Sequence, residues 1–277
     1  MLLSQWRNKL DSGRLFKYNI DHIVYRRLDD KYGIDAVSNS KRLYLKRESV
    51  KIKSLDDPFD CNQFNFNEVS SDEVICEFIV GSKEENGTSP DEGDDVICSE
   101  SADKHLLLIN VSPIDLGHSL IVPFANRQYN QVIRSECIEL ALKVFMQSSS
   151  GRFVMLYNSL LAYASVNHLH FHVYYLPHDI SLMSQAVTCI SQRHGVFVLN
   201  DWLTPGWVFQ LRDISNLRKY SKTLFLASEV TRKFGFALNL ATTRRCSLNC
   251  SRDCINETEA GRLLVTTYVF PKKPVYG

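Results

Sequence analysis

Apolar and polar residues alternate along several stretches of the chain, and the alternation is clearest across residues 167–176. There, histidine alternates with apolar residues before a β-branched and aromatic run. A period of two predicts a strand whose successive side chains point to opposite faces. We therefore expect His168, His170 and His172 to form a row on one face, with neighbours about 6.5–7 Å apart from the strand rise.

Other stretches predict both strands and helices. Apolar continuity or alternation predicts strands at 43–47, 73–80, 105–111, 119–123, 153–157, 206–211, 236–241 and 263–270. Helical periodicity predicts an N-terminal helix with Trp6 on its apolar side and helices at 130–147 and 214–234. This order of elements predicts an α+β fold with an antiparallel sheet and packed helices. The second half is a weak pseudo-repeat of the first, without a second row of histidines.

Three segments follow from this pattern. Residues 1–57 form an N-terminal helix and leading segment, residues 58–180 the histidine-bearing catalytic unit, and residues 195–277 the second half. Within the second segment, residues 81–95 are Gly, Ser, Pro and acidic residues without a core-forming pattern. They are predicted to form a mobile surface loop. A phosphorylation or partner-binding role for this loop is the weaker alternative.

The composition is that of an ordinary globular protein and excludes several classes of function. With 277 residues, of which 44% are hydrophobic and 23% charged, the chain can bury a sizeable core. A net charge of +1 argues against broad binding to nucleic acid or membrane. No apolar run approaches the roughly 20 residues that span a bilayer. The N-terminus is too charged for a secretory signal, so a cytoplasmic protein is expected.

The eight cysteines are expected to remain reduced thiols in that compartment. Cys246, Cys250 and Cys254 have the spacing C-x3-C-x3-C, which raises the alternative of a metal site. The chain contains no C-x2-C pair, and the residues around these three cysteines are those of a polar loop. A polar loop is therefore the favoured interpretation.

A set of polar residues accompanies the histidine row. His118 follows a glycine turn between two predicted strands, Asn158 ends the strand before the row, and Ser165 lies three residues before His168. Imidazole, amide and hydroxyl groups can hold phosphate oxygens and donate to charge that develops on them. A neutral histidine is also a competent nucleophile toward phosphorus. A backbone carbonyl could fix its tautomer and leave the other ring nitrogen for substrate.

A metal site is the alternative for the row, because two or three histidines on one strand face often hold a transition metal. Such sites usually recruit a carboxylate or a further histidine, and no Asp or Glu lies within residues 158–176. Nucleophilic catalysis at phosphate is therefore favoured, with no metal and no cofactor required.

These motifs resemble the histidine-triad superfamily of nucleotide-binding enzymes, whose signature is His-φ-His-φ-His-φ-φ with φ apolar. Residues 168–174 match the signature, and residues 109–123 match the strand, turn and strand that precede it. Within the superfamily, residues 59–67 and 157–170 are more similar to the animal GDP-D-glucose phosphorylases. The related plant GDP-L-galactose phosphorylases typically carry Gln at the position of His172.

The resemblance implies a role for each site residue. His170 would be the nucleophile that takes the nucleotidyl group, and His168 and His172 would orient it or contact phosphate. The residues expected to hydrogen-bond near the phosphates are His118, Asn158 and Ser165. Those expected to help form the guanine pocket are Phe64, Asn65, Phe66 and Asn67.

The implied reaction converts GDP-D-glucose and phosphate to GDP and D-glucose 1-phosphate through a guanylyl-histidine. The sugar phosphate is a good leaving group, since its second pKa is near 6. The alternatives are a GDP-L-galactose phosphorylase, a nucleotide hydrolase on the same nucleophile, or a nucleotide-binding protein without turnover. The last follows because the family continues beyond residue 274, so the second half is expected to be shortened. The expected partners are a GDP-hexose and phosphate, and the oligomeric state stays open.

Overall fold

The computed structural model describes residues 2–78, 103–248 and 263–276. The predicted acidic loop 81–95 lies outside these residues, as do Cys250, Cys254 and the last two residues of the predicted strand 73–80.

Four α-helices and twelve strands are formed by the described residues. The helices are α1 (Leu2–Asp11), α2 (Ser40–Leu45), α3 (Ser135–Met146) and α4 (Leu217–Lys233). The strands are β1 (Val24–Arg27), β2 (Asp35–Ser38), β3 (Val74–Phe78), β4 (His105–Ile109), β5 (Ser119–Val122), β6 (Phe153–Asn158), β7 (Phe171–Tyr175), β8 (Thr188–Ser191), β9 (Val196–Leu199), β10 (Gly206–Leu211), β11 (Ala237–Arg245) and β12 (Leu264–Lys272). None of the helices in these parts of the chain is long and apolar enough to cross a membrane.

Ten of the strands form one sheet with the order β3-β4-β5-β7-β6-β11-β12-β10-β9-β8, and β1 and β2 form a separate hairpin. Neighbouring strands in the large sheet are antiparallel. Read inward from its two edges, the sheet has the same strand order in both halves. Each half inserts its long helix, α3 or α4, between its third and fourth strand. This arrangement confirms the α+β fold and supports the predicted pseudo-repeat, while the segment boundaries stay predictions.

Two local predictions were wrong, and cap chemistry explains one of them. Residues 43–47 are not a strand, because Asn39 accepts a hydrogen bond from Arg42 N–H and begins helix α2. Asn65 in the same way caps a 3-10 turn at Phe66–Glu68, which begins within the alternating segment 64–67. Helix α3 begins at Ser135 and not at residue 130.

The helix α1 fixes the N-terminus to the sheet, as its predicted amphipathic pattern requires. Trp6 is fully buried, packs edge-to-face on Phe16 at 4.8 Å, and donates from Nε1 to the carbonyl oxygen of His118 at 3.1 Å. The helix therefore supports the start of β5, where His118 lies.

Cysteine chemistry differs from the expectation at one position. Cys189 is disulfide-bonded, so the prediction that all eight cysteines are reduced thiols is wrong there. Cys61, Cys76, Cys137 and Cys246 are free thiols.

We expect Trp6→Ala to lower the free energy of unfolding by about 3–5 kcal/mol, because it removes a buried aromatic side chain and leaves a cavity. Trp6→Phe keeps most of the packing and loses the hydrogen bond to His118, which should cost about 1 kcal/mol. Urea unfolding of both variants measures this. If both variants lost the same free energy of unfolding, packing would not be the larger contribution of Trp6, and the prediction would be contradicted.

Candidate active site

The site lies where β5 pairs with β7, with Leu120 opposite His172. A tight turn before β5 sets the position of His118. Gly117 in this turn has a φ of 71°, and a Cβ there would lie 2.8 Å from Leu3 and 3.0 Å from Tyr175. Only glycine fits this turn without displacing its neighbours.

His170 is fixed in one tautomer by its own chain. Its Nδ1 donates to the carbonyl oxygen of His168 at 2.8 Å, so its Nε2 carries the free lone pair. This confirms the expectation that a backbone carbonyl fixes the tautomer.

A glutamine that the sequence did not single out holds the backbone of His170. Gln131 is fully buried, and its Oε1 accepts from the His170 N–H at 2.8 Å. Its Nε2 donates to the carbonyl oxygens of His170 at 3.1 Å and Asn158 at 2.9 Å. This one side chain thus makes the hydrogen bonds to the backbone of His170 that a neighbouring strand would make within a sheet. No local sequence pattern identifies Gln131, because the helical periodicity placed residue 131 in the predicted helix 130–147.

A backbone amide sets the tautomers of two further imidazoles in series. The N–H of Ile114 donates to Nδ1 of His118 at 2.8 Å, so the proton of His118 is on Nε2. That Nε2–H donates to Nδ1 of His172 at 3.0 Å. The proton of His172 therefore lies on its Nε2, where it can be donated to a substrate.

The three histidines do not form the predicted row. Only His172 belongs to β7, because the strand begins at Phe171. His170 and His172 have ring centroids 4.9 Å apart and line one cleft. His168 instead is buried against Phe59 and Phe66, and its Nδ1 accepts from the Phe66 N–H at 3.1 Å. The chain leaves regular strand geometry before Phe171, so a period of two does not extend to His168.

Burial keeps these imidazoles uncharged. Desolvation lowers the pKa of His170 to about 4, against the opposite effect of its hydrogen bond to His168, and lowers the pKa of His168 to about 4. Desolvation also lowers the pKa of His118 and of His172 well below the usual value, and the charge of Arg42 adds to it. At neutral pH His170 is therefore a neutral imidazole.

His170 and His172 open into a cleft of about 570 Å³, counting its open mouth. Its walls combine apolar side chains with polar and charged ones. The apolar residues are Phe66, Val69, Leu108, Ile109, Val111, Leu120 and Val166. The polar and charged residues, besides the two histidines, are Arg42, Lys46, Arg47, Glu73, Asn110, Ser112 and Ser165.

Four charged residues of this cleft were missed by the sequence analysis. Arg42, Lys46 and Arg47 come from α2 and the residues after it, which had been interpreted as a strand. Arg42 donates to the carbonyl oxygen of Ser112, and Arg47 lies 3.6 Å from Glu73. A helical interpretation of α2 would have placed Arg42 and Lys46 on one face, four residues apart.

The other residues predicted for the site divide into two groups. Ser165 and Phe66 line the cleft with His170. Those with other contacts are Phe64, which packs on Phe66; Asn65, which caps the 3-10 turn; Asn67, which donates to Ala125; His118, which lies behind His172; and Asn158, whose Oδ1 accepts from Asn239. A direct contact of Asn158 or Asn67 with substrate stays a prediction.

Comparisons with known proteins place the chain in a family. Residues 1–174 match the family model described as GDPGP1-like, N-terminal domain. The chain belongs to the GDPGP1-like family. A GDPGP1-like relative named GDP-D-glucose phosphorylase 1 from Bos taurus is 30% identical over 280 residues, which cover the whole chain and 67% of that protein. The Caenorhabditis elegans protein of the same name is 29% identical over 281 residues. The chain spans 55% of its length.

Among solved structures, the yeast Ap4A phosphorylase Apa2 in complex with Ap4A matches the GDPGP1-like chain with a TM-score of 0.56. The match covers 96% of this chain and 79% of that protein at 11% identity, so it shows a shared fold. No group of three or more His, Cys, Asp or Glu is placed to hold a metal ion within residues 2–78, 103–248 and 263–276.

The free energy of unfolding should fall as the pH is lowered from about 6.5 toward 4. Unfolded imidazoles bind protons near pH 6.5, whereas His170 in the folded chain does so only near pH 4. The unfolded state therefore binds more protons in this interval. Each buried histidine adds up to about 1.4 kcal/mol per pH unit to the slope of the free energy of unfolding against pH.

Urea unfolding at several pH values tests this. His170→Asn should reduce the slope by up to about 1.4 kcal/mol per pH unit, whereas His194→Asn, at an exposed histidine, should leave it unchanged. An unchanged slope in His170→Asn would contradict the neutral burial of this ring.

Proposed function

We propose that the chain is a nucleotidyl-transferring phosphorylase that converts GDP-D-glucose and phosphate to GDP and D-glucose 1-phosphate. The observation that carries the proposal is the state of His170, a buried neutral imidazole that lines a cleft with its Nδ1 hydrogen-bonded to its own chain. The names of the family relatives supply the substrate. The geometry around His170 supports its role as nucleophile.

In the first step, Nε2 of His170 attacks the α-phosphorus of GDP-glucose. The bond from this phosphorus to the bridging oxygen breaks, and glucose 1-phosphate leaves with the electron pair. The Nε2–H of His172 donates to an oxygen of the α-phosphoryl group, where negative charge develops. Because His118 fixes the tautomer of His172 through a 3.0 Å hydrogen bond, this donor is in place before substrate binds.

In the second step, an oxygen of inorganic phosphate attacks the α-phosphorus of guanylyl-His170 and releases Nε2, which gives GDP. Attacking and leaving groups lie roughly in line at phosphorus. His170 occupies one side in both steps, so the departing sugar phosphate and the incoming phosphate use the same position on the other side. One site for a phosphate dianion therefore serves both steps.

The cations of the cleft suit such a site. Arg42, Lys46 and Arg47 line it together with a single carboxylate. Ser112 adds a hydroxyl that is buried and has no hydrogen-bond partner among the described residues. A buried hydroxyl without a partner costs free energy, which a phosphate oxygen in the cleft would offset. We propose that Arg42, Lys46 and Ser112 hold this phosphate, which favours phosphate over water as acceptor.

The cytoplasm stays the proposed location, with GDP-hexose and phosphate as partners and neither nucleic acid nor membrane bound.

His170→Asn should lower the rate of GDP formation from GDP-glucose and phosphate at least about 1,000-fold, because it removes the nucleophile. It should also abolish the acid-labile guanylyl adduct that wild-type protein forms without phosphate. Chromatography of GDP and GMP, with mass spectrometry of the protein, measures both. His194→Asn is the matched control. Release of GMP and no GDP by wild-type protein would instead establish a hydrolase.

Lys46→Met should raise the KM for phosphate about 10-fold or more and increase the share of GMP among the products, since one charged contact to phosphate is worth about 1.5–3 kcal/mol. Lys41→Met is the matched control, because Lys41 lies in helix α2, which ends just before Lys46, and it is outside the cleft and donates to Asn19. An equal KM in the two variants would exclude Lys46 from the phosphate site.

A further inference from the structure

A buried carboxylate lines the cleft with one oxygen unused. Glu73 belongs to a capping box, in which its Oε1 accepts from the N–H of Ser70 at 3.4 Å. The same Oε1 lies 3.6 Å from the guanidinium of Arg47. Its Oε2 accepts no hydrogen bond from the residues that the structure describes. A carboxylate oxygen that accepts no hydrogen bond is available to a ligand that brings donors.

The guanidinium beside it is held in place. Arg47 lies over the ring of Phe64, 3.8 Å from its centroid, and its side chain is about one-third exposed. The ring of Phe64 packs on Phe66 at 5.9 Å, and Phe66 lies 4.9 Å from the ring of His170. A series of contacts thus leads from the nucleophile along an aromatic wall to an ion pair. That is the order in which α-phosphate, ribose and base follow one another in a nucleotide.

The two charged groups match the edge of one purine. Guanine presents N1–H and the 2-amino group side by side, and a carboxylate can accept from both. Its O6 and N7 are acceptors that suit the fork of an arginine. Adenine places an unprotonated N1 where guanine has N1–H, so a carboxylate would face a lone pair and repel it.

We propose that Glu73 is the residue that selects guanine, with Arg47 positioned beside it to reach O6. The proposal rests on the proposed function in one respect, since it takes the α-phosphate to lie at His170. The 64–67 segment then contributes the aromatic wall of the base pocket, whereas the specificity comes from residues outside it.

Glu73→Gln tests this with little structural disturbance, because glutamine also completes a capping box. The probes are GMP, IMP and AMP, which differ only in the base and offer His170 no phosphate leaving group. IMP lacks the 2-amino group, so wild-type protein should bind it about 10- to 100-fold more weakly than GMP, as expected for one hydrogen bond to a charged group. Binding of AMP should be weaker still.

In Glu73→Gln, the Kd for GMP should rise about 10- to 100-fold. The ratio of the affinity for GMP to the affinity for IMP should therefore fall toward one. Affinity for AMP should increase, because an amide can pair with adenine. Calorimetry measures the constants, and thermal unfolding checks that the variant is folded. Asp72→Asn is the matched control, since this neighbouring carboxylate is exposed, pairs with Lys9 and lies outside the cleft.

Two outcomes would overturn the proposal: equal affinity of wild-type protein for GMP and IMP, or an unchanged GMP-to-IMP ratio in Glu73→Gln. The first needs no variant. The product assay separates this result from the proposed function. If wild-type protein forms GDP from GDP-glucose while Glu73→Gln has the same ratio of GMP to IMP affinity as wild type, the reaction stands and the assignment of Glu73 fails. If the ratio of affinities falls in Glu73→Gln but wild-type protein forms no GDP, Glu73 recognises guanine and the proposed reaction fails.

Discussion

The site depends on keeping an imidazole buried, neutral and fixed in one orientation. Desolvation alone makes His170 neutral, but it also obliges every polar group around the ring to find a partner. For His170 itself the chain meets this demand: Nδ1 donates to the carbonyl oxygen of His168, and the Gln131 side chain bonds both the N–H and the carbonyl oxygen of His170. The same demand recurs one step further out, where Ile114 N–H fixes His118.

The fold class could be predicted from the sequence because it depends on local patterns, whereas the role of His170 as nucleophile stays a prediction. The strands of the sheet, the helix α4 and the histidine signature are each contained in a few consecutive residues. Gln131 could not be predicted in the same way, since its role depends on Asn158 and His170, which lie 27 and 39 residues further along the chain. The charged residues of α2 were missed for a different reason. Asn39 outside the segment decides between helix and strand there.

The second half of the chain contributes support to the site and no histidine row of its own. Its strand β11 pairs with β6, and Asn239 on β11 donates to Asn158 at 2.6 Å. Asn158 in turn accepts through its backbone from Gln131, which holds His170. A side chain of the second half is thus two hydrogen-bonded residues away from the backbone of His170. The first half of the sheet therefore carries the histidine cleft, and the second half continues the sheet next to it.

The charges of the cleft serve two needs that might conflict. Phosphate groups require cations nearby, whereas a protonated imidazole would lose its lone pair. The positive charge of Arg42 lowers the pKa of His118 and of His172, so it helps keep them neutral. Arg42, a cation of the cleft, therefore adds to desolvation in opposing protonation of these two imidazoles. A carboxylate beside the histidines would have the reverse effect. That is consistent with Glu73, the single acid of the cleft, being paired with Arg47 next to Phe64 rather than with an imidazole.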